Sequence, residues 1–218
     1  FEGQTKELES NEQETGLDLG LKYFAVTSND EKIDNPGTYR KYQKVLAKAQ
    51  RAFSRTKKGS NNRKKASEKI AKIHQKIANV RKDFLDKVST KLIRENQAIV
   101  VENLQISNLV KNPKAVVDES GKGYKHNGKS KKTGLNKSIL DAGWGIFTNM
   151  LEYKAKWYGR TFVKVAPNYT SRDCSNCGFR LEKLALSIRE WECPKCNAIH
   201  DRDTNASKNI LKKWKESL

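Results

Sequence analysis

Four cysteines, confined to 23 residues, dictate how part of this chain folds. Cys174 and Cys177 form one C-x2-C pair and Cys193 and Cys196 a second, with 15 residues between the pairs. Two intervening residues let both thiolates of a knuckle turn onto one ion, and two knuckles complete a tetrahedron. Gly178 follows the first pair and Pro194 lies inside the second, which suits tight turns. Four thiolates leave no open coordination position, so Zn at this site has a folding role. The alternative is four free or disulfide-bonded cysteines. The clustering, with no cysteine elsewhere, fits an intracellular metal site better than a disulfide framework. His200 is surplus to the tetrahedron and reads as a surface or hydrogen-bonding residue.

The rest of the chain reads as α/β. TGLDLGLKYFAVTS at 15–28 predicts a strand, a tight turn near Gly20 and a second strand; NDEK at 29–32 is a turn, with a short third strand after it. Tyr39, Tyr42, Leu46, Ala49 and Phe53 recur at helical spacing over 38–53. Ile70, Ile73, Ile77, Val80, Phe84, Val88 and Leu92 make a longer stripe. Together they predict a helical hairpin inserted over 38–96, with a basic loop at 55–65 as its tip. AIVVENL at 98–104 has the continuous apolar pattern of a strand covered on both faces. Residues 105–137 read as a flexible loop, 138–158 as one helix, 161–166 as a strand and 203–214 as a closing helix. Residues 1–14, beginning at Phe1, read as a linker or the end of a missing N-terminal domain.

Three acids stand out within this layout. Asp18 sits mid-strand, where an unpaired charge is costly. Glu102 ends the apolar strand, and Asp203 shares a helix face with Ala206, Ile210 and Trp214. Asp201 precedes that helix and lies off the face, as a cap or hydrogen-bonding residue would. Taken singly, Asp18 reads equally as a turn residue, Glu102 as a strand-end charge and Asp203 as an N-cap. Taken together, the three have the layout of a ribonuclease-H-like nuclease core. Converging carboxylates repel, and divalent cations such as Mg2+ relieve that repulsion through oxygen ligands. Two such ions, about 4 Å apart, activate a water and stabilise the leaving oxygen of a phosphodiester.

Charge points to the substrate. The chain carries 44 Lys and Arg against 25 Asp and Glu, a net charge of +19, and a soluble chain this basic most often meets a polyanion. No apolar run approaches the length of a membrane span. Arg55, Lys57, Lys58, Arg63, Lys64 and Lys65 in one basic segment, and Lys129, Lys131 and Lys132 in another, are candidate phosphate contacts. Trp191, between the cysteine pairs, is the candidate aromatic contact; Trp144, Trp157 and Trp214 sit at helical core spacing.

GLDLGLKYFAV, VVENL, SILDAGWGIF, LEYKAKWYGR, YTSRDCSNCG, CPKC and DRDTNASKNI occur in the order found in the C-terminal half of TnpB proteins. The chain resembles that family over residues 15–215. These are OrfB-type, transposon-encoded, RNA-guided DNA endonucleases related to the type V CRISPR effectors. The resemblance implies a RuvC nuclease core of ribonuclease-H-like fold over 15–169, with a mixed sheet, a helical-hairpin insertion and a lid loop at 105–137. It implies a zinc-ribbon module for target nucleic acid at 170–199 and a final RuvC helix at 200–218. It matches Asp18, Glu102 and Asp203 to the catalytic, Mg-binding acids, and Cys174, Cys177, Cys193 and Cys196 to the zinc ligands. It further implies guide RNA and target DNA as partners, and a cytoplasmic, nucleoid-associated prokaryotic setting. Two other functions compete: a non-catalytic, guide-dependent DNA-binding repressor, which loss of an acid would favour, and a transposase or integrase, against which the inserted ribbon argues.

Overall fold

The computed structural model describes residues 7–121 and 123–218. The first six residues of the expected 1–14 linker lie outside it. Of the remainder, Leu8 donates its amide to Tyr158 at 3.2 Å and Gln97 donates to the Gln13 carbonyl at 2.7 Å, so this stretch runs beside the sheet.

Two compact units are present. One comprises residues up to Asn35, Val88–Leu109 and Trp144–Leu218. Its strands are β1 (Glu14–Leu19), β2 (Tyr23–Thr27), β3 (Lys32–Asp34), β4 (Ala98–Glu102) and β5 (Thr161–Val165). They form one sheet in the order β3-β2-β1-β4-β5. β2 runs antiparallel to β1 and β3, while β1, β4 and β5 run parallel, so the sheet is mixed as expected. Leu17, Ile99, Val100 and Val101 are fully buried, which is why β4 shows no polar alternation until Glu102.

Helix α6 (Arg202–Lys215) lies against one face. Gly16 permits this: a Cβ there would sit 2.1 Å from the Ser207 carbonyl oxygen, so only glycine lets helix and strand backbones approach. On the face bearing Phe162 and Lys164, α5 (Trp144–Tyr158) packs, with Glu152 paired to Lys164 at 3.0 Å. The buried Lys154 ammonium donates to Ser89 at 2.9 Å and Thr90 at 2.7 Å, tying α5 to residues 88–95.

The other unit comprises Pro36–Lys87 and Val110–Gly143. Its hairpin pairs α1 (Thr38–Ser54) with α2 (Asn61–Glu95), whose last residues belong to the sheet unit. Leu46, Ala49 and Ile77 are buried as the apolar stripes require, and Leu85, outside the stripe, is fully buried where Phe84 beside it is half-buried. Val80 departs from the stripe and is 38% exposed.

Two expectations need correcting. The segment 105–137 is not a continuous loop: it contains α3 (Ile106–Leu109) and the start of α4 (Lys129–Ala142). Asn127 accepts the Lys129 amide at 3.2 Å, and buried Asn136 donates to the Val110 carbonyl at 2.6 Å and to Asn112 at 3.0 Å. A polar residue carries the helix's inner face, so no apolar period announced it. Nor is 138–158 one helix. Gly143 adopts a φ of +72°, donates back to Ile139 and divides α4 from α5. A glycine after a helical run is a recognised stop signal, and DAGWG carried it.

Candidate active site and zinc ribbon

The face assignment places the acids. Gly16 points at Ser207 of α6. Asp18 lies two residues on and so shares that face, about 7 Å further along the strand. Asp203 lies four residues before Ser207, about 6 Å back along the helix. Strand and helix therefore deliver both acids to the same level. Glu102 arrives from the neighbouring strand: Leu17 pairs with Val101 in parallel register, and Asp18 and Glu102 are the next residues on each.

Electrostatics report the same convergence. The Asp18 carboxyl is pushed up to about 8, by burial first, then by the charges of Glu102 and Asp203, against the lowering influence of Arg202 and Arg189. Burial likewise raises Glu102, opposed by a hydrogen bond from Thr170 and the charge of Lys213. The Thr170 hydroxyl donates to Glu102 Oε1 at 2.5 Å. Arg189 Nη1 reaches Asp203 Oδ1 at 3.1 Å. A site that forces one carboxyl toward neutrality is chemically suited to cations with oxygen ligands.

Asp201 takes the other role. It N-caps α6, accepting from the amides of Asp203 and Thr204 at 3.0 Å, and pairs with Lys32 at 3.1 Å.

The ribbon joins the site through the same helix. Ribbon strands β6 (Glu190–Glu192) and β7 (Ile199–Asp201) pair antiparallel. All four cysteines offer sulfurs lying within 4.8 Å of one another. Their knuckles match: the Gly178 amide donates to the Cys174 carbonyl at 2.8 Å and the Asn197 amide to the Cys193 carbonyl at 2.8 Å. The turns place Gly178 and Asn197 at φ values of +75° and +55°. The Cys196 thiol is lowered to about 6, chiefly by the backbone N–H of Ala198 and then by Asn176. Four such sulfurs fit one tetrahedral zinc. His200 Nε2 sits 3.0 Å from Cys174 Sγ; it is a buried hydrogen-bonding partner of the knuckle, not a surface residue. Ser175 donates its amide to Asn205 of α6 at 2.9 Å, so the knuckle is fastened to the helix that carries Asp203.

Trp191 does not have the exposed face expected of a nucleic-acid contact. It is 8% exposed, packed in the ribbon core with Cys174 and Cys193, its ring 4.6 Å from that of His200. Strand alternation turns it inward while Glu190 and Glu192 face out. Trp144 is buried as its spacing predicted, but Trp157 is 49% exposed and its ring meets that of Tyr153 at 4.5 Å, tilted by 59°.

The basic candidates divide. Arg55, Lys57, Lys58, Lys64, Lys65, Lys129 and Lys131 are exposed, and Lys132 is half-buried. Arg63 is engaged within the hairpin, its guanidinium 4.0 Å from the Phe53 ring centre and donating to the Thr56 carbonyl at 3.2 Å. A stronger feature went unremarked in the sequence. Residues 36–87 and 110–143 hold 25 of the 44 basic and 6 of the 25 acidic residues, which leaves 19 of each elsewhere. The entire net charge therefore resides in the helical unit. On α1 and its C-cap, Lys41, Lys44, Lys48, Arg51 and the capping Arg55 recur at alternating spacings of three and four residues, all exposed, in one stripe.

The OrfB_IS605 family, described as "Probable transposase", has a sequence model that matches residues 2–113, more than half of the chain. The chain belongs to that family. A second model, "Cas12f1-like, TNB domain", matches residues 144–210, the stretch holding the ribbon and most of α6. A Streptomyces pristinaespiralis protein named "Putative RNA-guided DNA endonuclease" is 44% identical over 197 residues, covering 90% of this chain and 44% of that protein. InsQ of Escherichia coli K12, with the same name, is 37% identical over 196 residues, covering 90% of this chain and 48% of that protein. The chain thus spans less than half the length of these relatives. The Cas12f1 chain in a cryo-EM complex with single guide RNA and target DNA superposes with a TM-score of 0.60 at 19% identity, over 94% of this chain and 51% of that one. That likeness establishes the shared fold.

Proposed function

We propose that this chain is the nuclease half of an RNA-guided, metal-dependent DNA endonuclease. The observation that carries the reading is the convergence of Asp18, Glu102 and Asp203 from two parallel strands and one helix, with Asp18 driven toward neutrality by burial first and then by the charges of the other two. The relatives' names and the ribbon support the same assignment.

In this reading the three carboxylates hold Mg2+. Bound there, a pair of divalent cations supplies an activated water and charge stabilisation for the leaving oxygen of a phosphodiester. The chain's own residues do the positioning. Thr170 fixes the Glu102 carboxylate through its hydroxyl, and Asp201 sets the first turn of α6 by capping it, which orients Asp203. Arg189, paired with Asp203 at 3.1 Å, places a cation beside the acids that could meet a phosphate held there. Residues 15–169 with the insertion at 38–96 form the nuclease core, 170–199 the target-nucleic-acid module, and 200–218 the final core helix. The cysteines hold structural Zn. Guide RNA and target DNA are the polyanions that the helical unit's charge attracts without base readout.

The test is cleavage of guide-matched DNA by the full-length protein carrying Asp18→Asn, Glu102→Gln or Asp203→Asn. Each substitution keeps shape and removes charge. Cleavage should fall at least about a hundredfold, the scale seen when a group acting on transition-state charge is removed, with nucleic-acid binding retained. Native cleavage rates in these variants would refute the assignment.

A further inference from the structure

Tyr169 has a conformation that the proposed chemistry does not explain. Its φ is +64°, a left-handed backbone that a bulky side chain adopts only when its surroundings enforce it. That enforcement is visible. Lys213 of α6 donates to the Ala166 carbonyl at 3.0 Å and also to that of Asn168. Asn209 donates to the carbonyls of Thr170 at 2.8 Å and Asp173 at 2.6 Å, and Asn205 donates to Asp173 at 2.8 Å. The amides of Arg172 and Asp173 both donate to the Tyr169 carbonyl at 2.9 Å. Three side chains of α6 thus clamp the turn on either side of the strained residue, and two of them, Asn205 and Asn209, are buried amides.

The ring gains no core packing in return, for Tyr169 is 44% exposed. Two guanidinium groups attend it: Arg180 at 4.0 Å and Arg172 at 5.3 Å from the ring centre. Both are held in place, Arg180 by a fork onto Asp173 at 2.6 and 2.8 Å, Arg172 by the Leu181 carbonyl at 2.8 Å. Asn or Gly would satisfy this turn without strain. What an aromatic ring adds is a rigid flat surface over which the guanidinium groups lie, with much of the residue still open to solvent. The next residue, Thr170, binds the Glu102 carboxylate, so the ring is anchored one residue from the acid cluster.

We infer that Tyr169, flanked by Arg172 and Arg180, is a stacking platform for one unpaired nucleobase adjoining the phosphate held at the acids. The inference rests on the nuclease reading. Stacking on an aromatic ring tolerates any base, and neighbouring arginines add cation–π and phosphate attraction. Only a single strand fits, because bases inside a duplex already stack on both faces. The role expected of buried Trp191 falls to this residue.

The test uses the full-length protein with its guide RNA, without added Mg2+, and guide-matched DNA whose unpaired strand carries 2-aminopurine at successive positions, so that guide pairing fixes the register. Native protein should quench one position and Tyr169→Phe should match it. Tyr169→Asn should bind about five- to a hundredfold more weakly, the range of one base stack, while melting at the native temperature or above it because backbone strain is relieved. An abasic site at the quenched position should erase the difference between native and Tyr169→Asn. Native-like quenching by Tyr169→Asn, no quenching by native protein at any position, or a weakening that persists on abasic DNA and tracks a lower melting temperature would each overturn the platform. The nuclease reading is tested separately: the Asp203→Asn variant would still quench here, and only its cleavage bears on that assignment.

Discussion

Gly16 and Ser207 meet so closely that a single methyl group on the glycine would lie 2.1 Å from the serine carbonyl oxygen and 2.8 Å from the Leu211 amide nitrogen. Both obstacles are backbone, so no rotamer change relieves them. Gly16→Ala should therefore push α6 away from β1. Overpacking of this kind costs about 1–3 kcal/mol, and more when backbone must move. The denaturation midpoint should fall accordingly. Cleavage should fall further than stability explains, since the displaced helix carries Asp203. Native stability and activity in this variant would contradict the registration of α6 on β1.

In the proposed site, Asp18 would link metal binding to pH. Burial, then the charges of Glu102 and Asp203, push its carboxyl up to about 8 in the folded protein, from 3.8 for an ordinary aspartate. Between those values the folded state holds more protons than the unfolded one, so this group's contribution to stability is greatest at low pH and is lost as pH rises toward 8. Asp18→Asn should therefore stabilise metal-free protein, increasingly from about pH 4 to pH 8 and no further above it. Mg2+ held by the acids would have to displace this proton, so its apparent affinity should climb with pH and level off near 8. Thr170→Val removes the hydrogen bond that lowers Glu102, and should move the rising limb of the pH–rate profile to higher pH. Titration calorimetry at several pH values reads the affinity; a flat dependence from pH 6 to 8 would be inconsistent with the Asp18 environment.

Trp191 reports on the ribbon. It packs on Cys174 and Cys193 in a cluster with few other apolar neighbours, so a metal bound by the four sulfurs would hold that small core together. Purified protein should contain one zinc per chain. Chelation, or Cys193→Ser, should shift Trp191 emission to the red and loosen the start of α6, because the Ser175–Asn205 bond ties the two. A Trp144→Phe, Trp157→Phe and Trp214→Phe background isolates the signal. Unchanged emission on zinc removal would show that the knuckles stand without metal.

The α1 stripe should govern salt dependence. Lys44→Gln, Lys48→Gln and Arg51→Gln together should weaken RNA and DNA binding equally across sequences. Each lost phosphate contact should reduce the slope of log affinity against log salt by about 0.7 to 0.9. The same number of neutralised lysines at Lys156, Lys164 and Lys195, in the unit whose charges balance, should change that slope little. Equal effects from both sets would remove the charge partition as an explanation of affinity.

Local pattern alone determined much of this protein. The cysteine spacing announced the knuckles, because ligand geometry constrains nearby residues directly. The apolar run of β4 announced a buried strand, and the stripe on α6 selected Asp203 over Asp201, because helical periodicity decides which side chains face inward. Tertiary structure decided what depends on distant partners. Asn136 makes α4 a helix through Val110 and Asn112, and strand alternation within the folded ribbon turns Trp191 inward. Gly16 settles how deep α6 sits, while Thr170 and Arg189 come to the acids from remote positions. Tyr169 is the extreme case: nothing in its neighbours along the chain requires a left-handed tyrosine, and the side chains that impose it lie up to 44 residues away on the last helix. A chain encodes its periodicities within a few turns, but a contact between residues far apart exists only once the intervening chain has folded and closed the loop.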